Sequence, residues 1–405
     1  MQSQPFDHSQ ETGVKENISI WIKKNGGYLA IVCGHIGYLM LQLSLVHYSN
    51  LDLEDYVLPW YTILKSTGIS AIATSFSNYS PPYQYLLWAV SRLGIQSDLL
   101  SIKLISIAAS YIAALFVFII VLQVYHKKTV AWLAYFAALF APTVWMNAAR
   151  WGQVDILYTT ILLGSLLSFI NKNSNLAMAA FGLALAVKLQ AVFLGPFILG
   201  LFFAGQINWR SIAIALICYL SAWLPAIICG LPIKSLIDIY LMQYSYYSGS
   251  LSMLAGNWYV FFPHIGYQSG LLIGFGLALL FGLAVAWLVY KQRDALTIEA
   301  ITRLATLSLM VVPFLLPKMH NRYFFAADVF TIVVAFVNPH LYFLPILIQA
   351  ASLITYTPFL VGAWVFPLWL AATFNLLIII ILVASIINPN FLMRKNRLVQ
   401  AIPPP

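Results

Sequence analysis

The chain has 405 residues, 61% of them hydrophobic and only 8% charged, with a formal net charge of +9. Soluble domains run nearer half apolar with about a quarter of their residues charged. A soluble enzyme or a basic nucleic-acid-binding domain is therefore excluded as the bulk of the chain, and the mean hydropathy of +0.86 marks a polytopic, all-α membrane protein. The length suits about 12 spans of about 20 residues each, plus loops. Cys33, Cys218 and Cys229 fall inside apolar runs, which argues against a disulfide framework and a metal site. No metal or cofactor is expected.

In chain order, residues 1–27 are polar and read as a cytoplasmic tail without a cleavable signal, and the run from Tyr28 reads as a signal anchor. Apolar runs then predict spans near 28–48, 99–124, 129–146, 155–171, 176–187, 190–204, 211–229, 268–290, 296–316, 321–337, 341–359 and 363–388. Residues 28–390 thus form the membrane domain, and 391–405 read as a second cytoplasmic tail. Lys23-Lys24, Lys127-Lys128, Lys172, Arg210, Lys291 with Arg293, and Arg394-Lys395 with Arg397 alternate onto one side. By the positive-inside tendency that side is the cytoplasm, both termini lie there, and the span number is even. The opposite face is then extracytoplasmic.

Two segments depart from simple spans. The stretch 176–204 breaks at Lys188-Leu189-Gln190 into halves too short for a full crossing, as expected of a helix pair lining an outer cavity. The long outer loop 49–98 carries Pro81-Pro82 and then the amphipathic Tyr85-Leu86-Leu87-Trp88, which predicts helices along the interface. A second outer loop, 230–267, is rich in Tyr, Trp and Gly.

On this topology Lys65, Arg92, Lys103, Arg150, Lys188, Lys234, Lys318 and Arg322 face outward, against the charge rule. An outer anion site would explain them. Ionisable groups near hydrocarbon are costly, so the clusters that hold them are functional candidates. The first is Asp52-Leu53-Glu54-Asp55-Tyr56, where a carboxylate could act as a general base or simply be solvated. The second runs from Arg150 through Trp151, Gly152 and Gln153 to Asp155. It could hold a phosphate or sugar hydroxyls, or Asp155 could merely favour a helix start. Lys188 and Gln190 offer an anion contact or a snorkelling side chain. The third cluster is Lys318-Met319-His320-Asn321-Arg322-Tyr323, whose cations suit a bound anion or phospholipid headgroups. Beyond it, His320, Phe324 and Asp328 recur at four-residue spacing, which predicts one helix face with Asp328 as a structural partner or a proton relay.

These segments resemble bacterial membrane mannosyltransferases related to the GPI-anchor second mannosyltransferase, within the GT-C glycosyltransferase superfamily. The carrying residues are Asp55-Tyr56 with Leu58-Pro59-Trp60-Tyr61, Asn78-Tyr79 with Pro81-Pro82-Tyr83, Trp151-Gly152-Gln153 with Asp155, Lys188-Leu189-Gln190 with Pro196, and Lys318-Met319-His320 with Arg322-Tyr323. They run in order over residues 50 to 330, and the last 70 or so residues add only hydrophobicity. One departure is Asn321, where the family usually has Glu.

The resemblance implies a GT-C-like fold and an inverting transferase. Its donor would be a polyprenyl-phosphate-linked sugar, with mannose the expected sugar. Its acceptor would be a glycolipid, a lipid-linked glycan or another glycan. It selects Asp55 as the base, and its bacterial character favours a plasma (inner) membrane with the site on the periplasmic or extracellular side; Asp52, Glu54 and Asp155 remain second choices among the clustered acids. Arg150, Lys188, Lys318, His320 and Arg322 are the candidates for the donor phosphate. Tyr56, Tyr79, Tyr83, Trp151, Gln153, Gln190, Asn321 and Tyr323 would line the sugar and acceptor pocket. A flippase for a polyprenyl-linked glycan, or a secondary transporter, is the rival reading. A transporter predicts binding groups near the midplane, where only Asp328 lies.

Overall fold

The structure is a computed structural model, and it describes residues 8–246, 248–388 and 391. The tail signals Arg394, Lys395 and Arg397 lie outside the described residues. The first helix, α1 (His8–Leu45), already includes most of the stretch expected as an N-terminal tail. A π-helical turn at Leu53–Val57, α2 (Leu58–Thr67) and α3 (Pro81–Ser91) fill the first long loop. There follow α4 (Asp98–Tyr125), α5 (Lys128–Leu139), α6 (Pro142–Trp145) with a π-helical turn at Met146–Trp151, α7 (Asp155–Ile170), α8 (Ser174–Val187), α9 (Gly195–Phe203) and α10 (Trp209–Ile228). The second long loop holds α11 (Ser235–Tyr246) and β1 (Ser252–Met253). Then come α12 (Tyr267–Lys291), α13 (Ile298–Leu315), β2 (Met319–His320), α14 (Phe325–Val337), α15 (Leu344–Leu360) and α16 (Leu368–Ile387).

Each predicted apolar run carries a helix. By length and composition, seven helical segments among the described residues can cross a membrane, and α5 with residues 142–151 makes an eighth, bent by 48°. Segments 155–170, 174–187, 189–203 and 325–337 are shorter. The chain is a multi-pass all-α membrane protein. The break in 176–204 falls where Lys188 adopts an extended backbone between α8 and a 3-10 turn at Leu189–Leu194.

The centre of the bundle is α13, buried from Ala300 to Leu315, which packs on α12, α14 and α16. The outer faces of α10 and α12 instead leave Leu216, Ile217, Leu272 and Leu279 exposed, as a lipid solvent allows. One correction concerns β2. It pairs in parallel with β1, Met253 opposite His320, and α14 starts only at Phe325. His320, Phe324 and Asp328 therefore do not share a helix face. The pairing wins because it satisfies backbone groups of two connecting segments at once: Lys318 N–H donates to Leu251 O and Asn321 N–H to Met253 O.

Most of the bases expected to face outward have a structural partner. Arg92 donates to Leu64 O in the last turn of α2, and Lys103 donates to Val46 O and Tyr48 O just past the end of α1. Arg150 donates to Leu360 O at the end of α15 and stacks over Tyr48, and Lys318 donates to Tyr244 O in the last turn of α11. Helix C-termini carry partial negative charge and unpaired carbonyls, so a cation there stabilises the bundle without any bound anion. Lys65 pairs with Asp98 at 2.6 Å, and Lys234 is exposed. Of the eight, only Lys188 and Arg322 line the cavity described below. Lys103 is fully buried, so Lys103→Met strands two carbonyls and is expected to cost about 1–3 kcal/mol for each, read as a lower thermal midpoint in detergent. An unchanged midpoint would refute the capping role.

Candidate active site

The site is assembled from the two long loops and the breaks in the helices. Leu53 and Gly152 make the first join. Gly152 closes the second π-helical turn at φ +75, and an added Cβ there would lie 2.9 Å from a Leu53 methyl. Only glycine fits both the left-handed backbone and this approach. The close packing sets the Asp52 turn against Trp151 and Gln153, and Asn50 Nδ2 ties the same turn to Trp151 O at 2.8 Å. Ser80, at the head of α3, makes the second join by donating to Ala186 O and Val187 O beside the Lys188 break.

Between these joins lies a cavity of about 500 Å³. Asp52 is its lining carboxylate. Asp52 Oδ2 accepts from Trp151 Nε1 at 2.8 Å, Gln153 Nε2 at 3.0 Å and Arg322 Nη1 at 3.2 Å. Three donors on one oxygen hold the carboxylate in place while its other oxygen remains available. Beneath it, Asp155 is fully buried, paired with Lys188 Nζ and Asn147 Nδ2, and lies 3.7 Å from Arg322 Nε. Two carboxylates and two cations thus form one neutral network, which is how buried charges are tolerated. Burial works against the charge on Arg322, but Tyr79, Asp52 and Asp155 outweigh it and raise the guanidinium above its ordinary value.

Several expected residues meet here. Tyr56, Tyr79, Gln153, Lys188, Gln190, His320, Arg322 and Tyr323 line the cavity with Asp52. Others do not. Glu54 and Asp55 are exposed on the outside of the π-helical turn, whose inward positions are Leu53 and Val57. Arg150 and Lys318 are spent on helix ends, as above. Tyr83 and Trp151 are buried behind the wall, and Asn321 faces away from the cavity, donating from Nδ2 to Thr355 O. The Asn that replaces the resembled family's Glu therefore removes no acid from the cavity. Asp328 also lies outside it, fully buried and accepting from Ser352 Oγ.

His320 lines the cavity but is not a cation. Burial, with Arg322 and Lys188 close by, pushes its pKa down to about 3. Unfolded chains protonate this imidazole below about 6.5, so its folded environment favours stability above that pH and loses it as pH falls towards 3. His320→Gln is expected to narrow the drop in thermal midpoint between pH 7.5 and pH 5. An equal drop in both proteins would show that His320 is not the group responsible.

The sequence reading missed Trp60, Ser80, Tyr240, Gln243, Ser252 and Phe359, which also line the cavity. Trp60 and Ser80 lie in or between segments already singled out. The loop 230–267 signalled its residues only through aromatic and glycine content, and Phe359 gave no signal.

No protein-family model matches the chain, and no curated protein sequence matches it. Among solved structures it is similar to ArnT from Cupriavidus metallidurans bound to undecaprenyl phosphate. The TM-score is 0.53 at 12% identity, over 89% of this chain and 77% of that one. At that identity the likeness is one of fold, and the fold of this chain is a polytopic, all-α one similar to that of ArnT.

Proposed function

We propose that this protein is an inverting glycosyltransferase that moves a sugar from a polyprenyl-phosphate carrier to a hydroxyl of a glycan or glycolipid. The observation that carries the reading is Asp52, held by three donors at the wall of a cavity that also presents Lys188 and Arg322. The fold supports it, since a protein of similar fold is described as bound to undecaprenyl phosphate.

In the proposed step the acceptor oxygen bonds to the anomeric carbon as the carbon–oxygen bond to the carrier phosphate breaks. The acceptor proton passes to the free oxygen of Asp52, and the bonding pair leaves on polyprenyl phosphate. The transition state is oxocarbenium-like, as in other glycosyl transfers. The leaving phosphate needs positive charge and no acid. Lys188 and Arg322 supply it: an ammonium has three donors and a guanidinium five, so each keeps donors beyond its carboxylate contacts. His320 offers a neutral imidazole. This assigns the base to Asp52, which lines the cavity, in place of Asp55. The sugar implied by the segment resemblance is mannose, and the basic-loop pattern puts the cavity outside the cytoplasm.

The test is transfer by the purified full chain in nanodiscs, with radiolabelled undecaprenyl-phosphate mannose, glucose and arabinose and a membrane-lipid extract as acceptor. Consumption of one donor with label in a new product is expected. Movement of donor across the bilayer without any product would replace this reading by the flippase one.

A further inference from the structure

Asp52, Tyr56 and Trp60 follow one another at four-residue spacing along the π-helical turn and the start of α2, and all three line the cavity. They form one ridge, a carboxylate followed by two aromatic rings. The ring centroids of Tyr56 and Trp60 are 6.0 Å apart, and those of Trp60 and Tyr79 are 5.3 Å apart. Tyr79 rests in turn on buried Tyr83 at 5.6 Å, so the platform has a rigid backing.

Charge is distributed unevenly around the cavity. Its ionisable acid and bases are Asp52, Lys188, His320 and Arg322, grouped around the Asp52–Asp155 network. Away from that group the lining is uncharged: Asn78, Gln243, Ser250 and Ser252 supply amides and hydroxyls, with Tyr240 and Met242. Gln243 Nε2 donates to Asn78 O at 2.6 Å and ties this rim together. An anionic group would find no cation there. A ligand with an apolar face and hydroxyls at its edge would match both surfaces: a ring on the aromatic faces, its hydroxyls on the amides.

We propose that the Tyr56–Trp60–Tyr79 ridge is an acceptor subsite and that the acceptor group it takes is an uncharged pyranose, not a phosphorylated or otherwise anionic one. This inference rests on the glycosyl-transfer reading and names its acceptor class. The ridge geometry explains the placement. A pyranose stacked on Tyr56 and Trp60 presents an edge hydroxyl toward Asp52 one helical step away, so the same strip of chain binds the acceptor and carries the base.

The test separates the two ligands by binding alone. Methyl α-mannopyranoside, methyl β-glucopyranoside and glucose 6-phosphate are titrated into the full chain in nanodiscs by saturation-transfer NMR. Undecaprenyl phosphate binding is measured separately with radiolabel. The expected result is that a methyl pyranoside binds, with saturation concentrated on the C–H protons of one ring face. Trp60→Leu should weaken it by about tenfold, the scale of losing a central aromatic contact. Trp60→Phe should recover most of the affinity, and carrier-lipid binding should persist in both. Tyr56 is only half-buried, and Tyr56→Leu gives a second reading if Trp60→Leu does not fold. Pyranoside binding that is absent in the wild type, unchanged in both leucine variants, or weaker than that of glucose 6-phosphate would overturn the proposal. Pyranoside binding that depends on Trp60 without any carrier-lipid binding would uphold the subsite and overturn the donor assignment.

Discussion

Asp52→Asn is expected to lower sugar transfer by about 10²–10⁴-fold, the usual contribution of a positioned general base. The substitution keeps the shape of the side chain and leaves Trp151 and Gln153 an oxygen to donate to, so the protein should remain folded and should still bind the carrier lipid. Asp55→Asn on the same turn is exposed and is expected to change stability and transfer little, within the roughly 0.5 kcal/mol of ordinary surface substitutions. The pair is informative because the two carboxylates are three positions apart and only one lines the cavity. Loss of transfer in Asp55→Asn with retention in Asp52→Asn would refute the assignment made from the cavity and restore the one drawn from the motif. The measurement is initial-rate transfer with labelled donor, alongside the elution profile and thermal midpoint of each variant.

Lys188→Met is expected to have the largest effect on stability. Asp155 is fully buried and Lys188 nearly so, and the two are directly paired. Removing one member of a buried pair leaves a charge without its partner and typically costs about 3–5 kcal/mol. Arg322, at 3.7 Å from Asp155, compensates only in part because it also serves Asp52. The double variant Lys188→Met with Asp155→Asn removes both charges and should regain much of the lost stability. It should not regain carrier-lipid affinity, because the cavity has still lost a cation. Thermal midpoints and labelled undecaprenyl phosphate binding on the three proteins decide the matter. A stable single variant would show that Arg322 alone neutralises Asp155, and full lipid affinity in the double variant would remove Lys188 from the donor site.

The amino-acid sequence by itself determined the all-α membrane class, the places of most apolar helices, the break at Lys188 and the helices of the first long loop. Those features depend on local properties: apolar runs of bilayer length, and a Lys or paired prolines where regular structure must stop. It also brought forward the charged residues that line the cavity, since Asp52, His320 and Arg322 lie in its charged clusters and Lys188 at the break in 176–204. What it could not decide was which members of a cluster face inward. Asp52 and Asp55 are equivalent in composition, and the π-helical turn packed on Gly152 separates them. Arg150, Lys103 and Lys318 looked like anion ligands because the carbonyls they cap belong to helices 74 or more positions away or, for Lys103, 55 and 57 away. The start of α14 moved for the same reason, because β2 finds its partner in β1 across a whole pair of helices. Direction and charge pairing are long-range properties, set when distant segments satisfy one another's backbone and charge, and only the tertiary structure carries them.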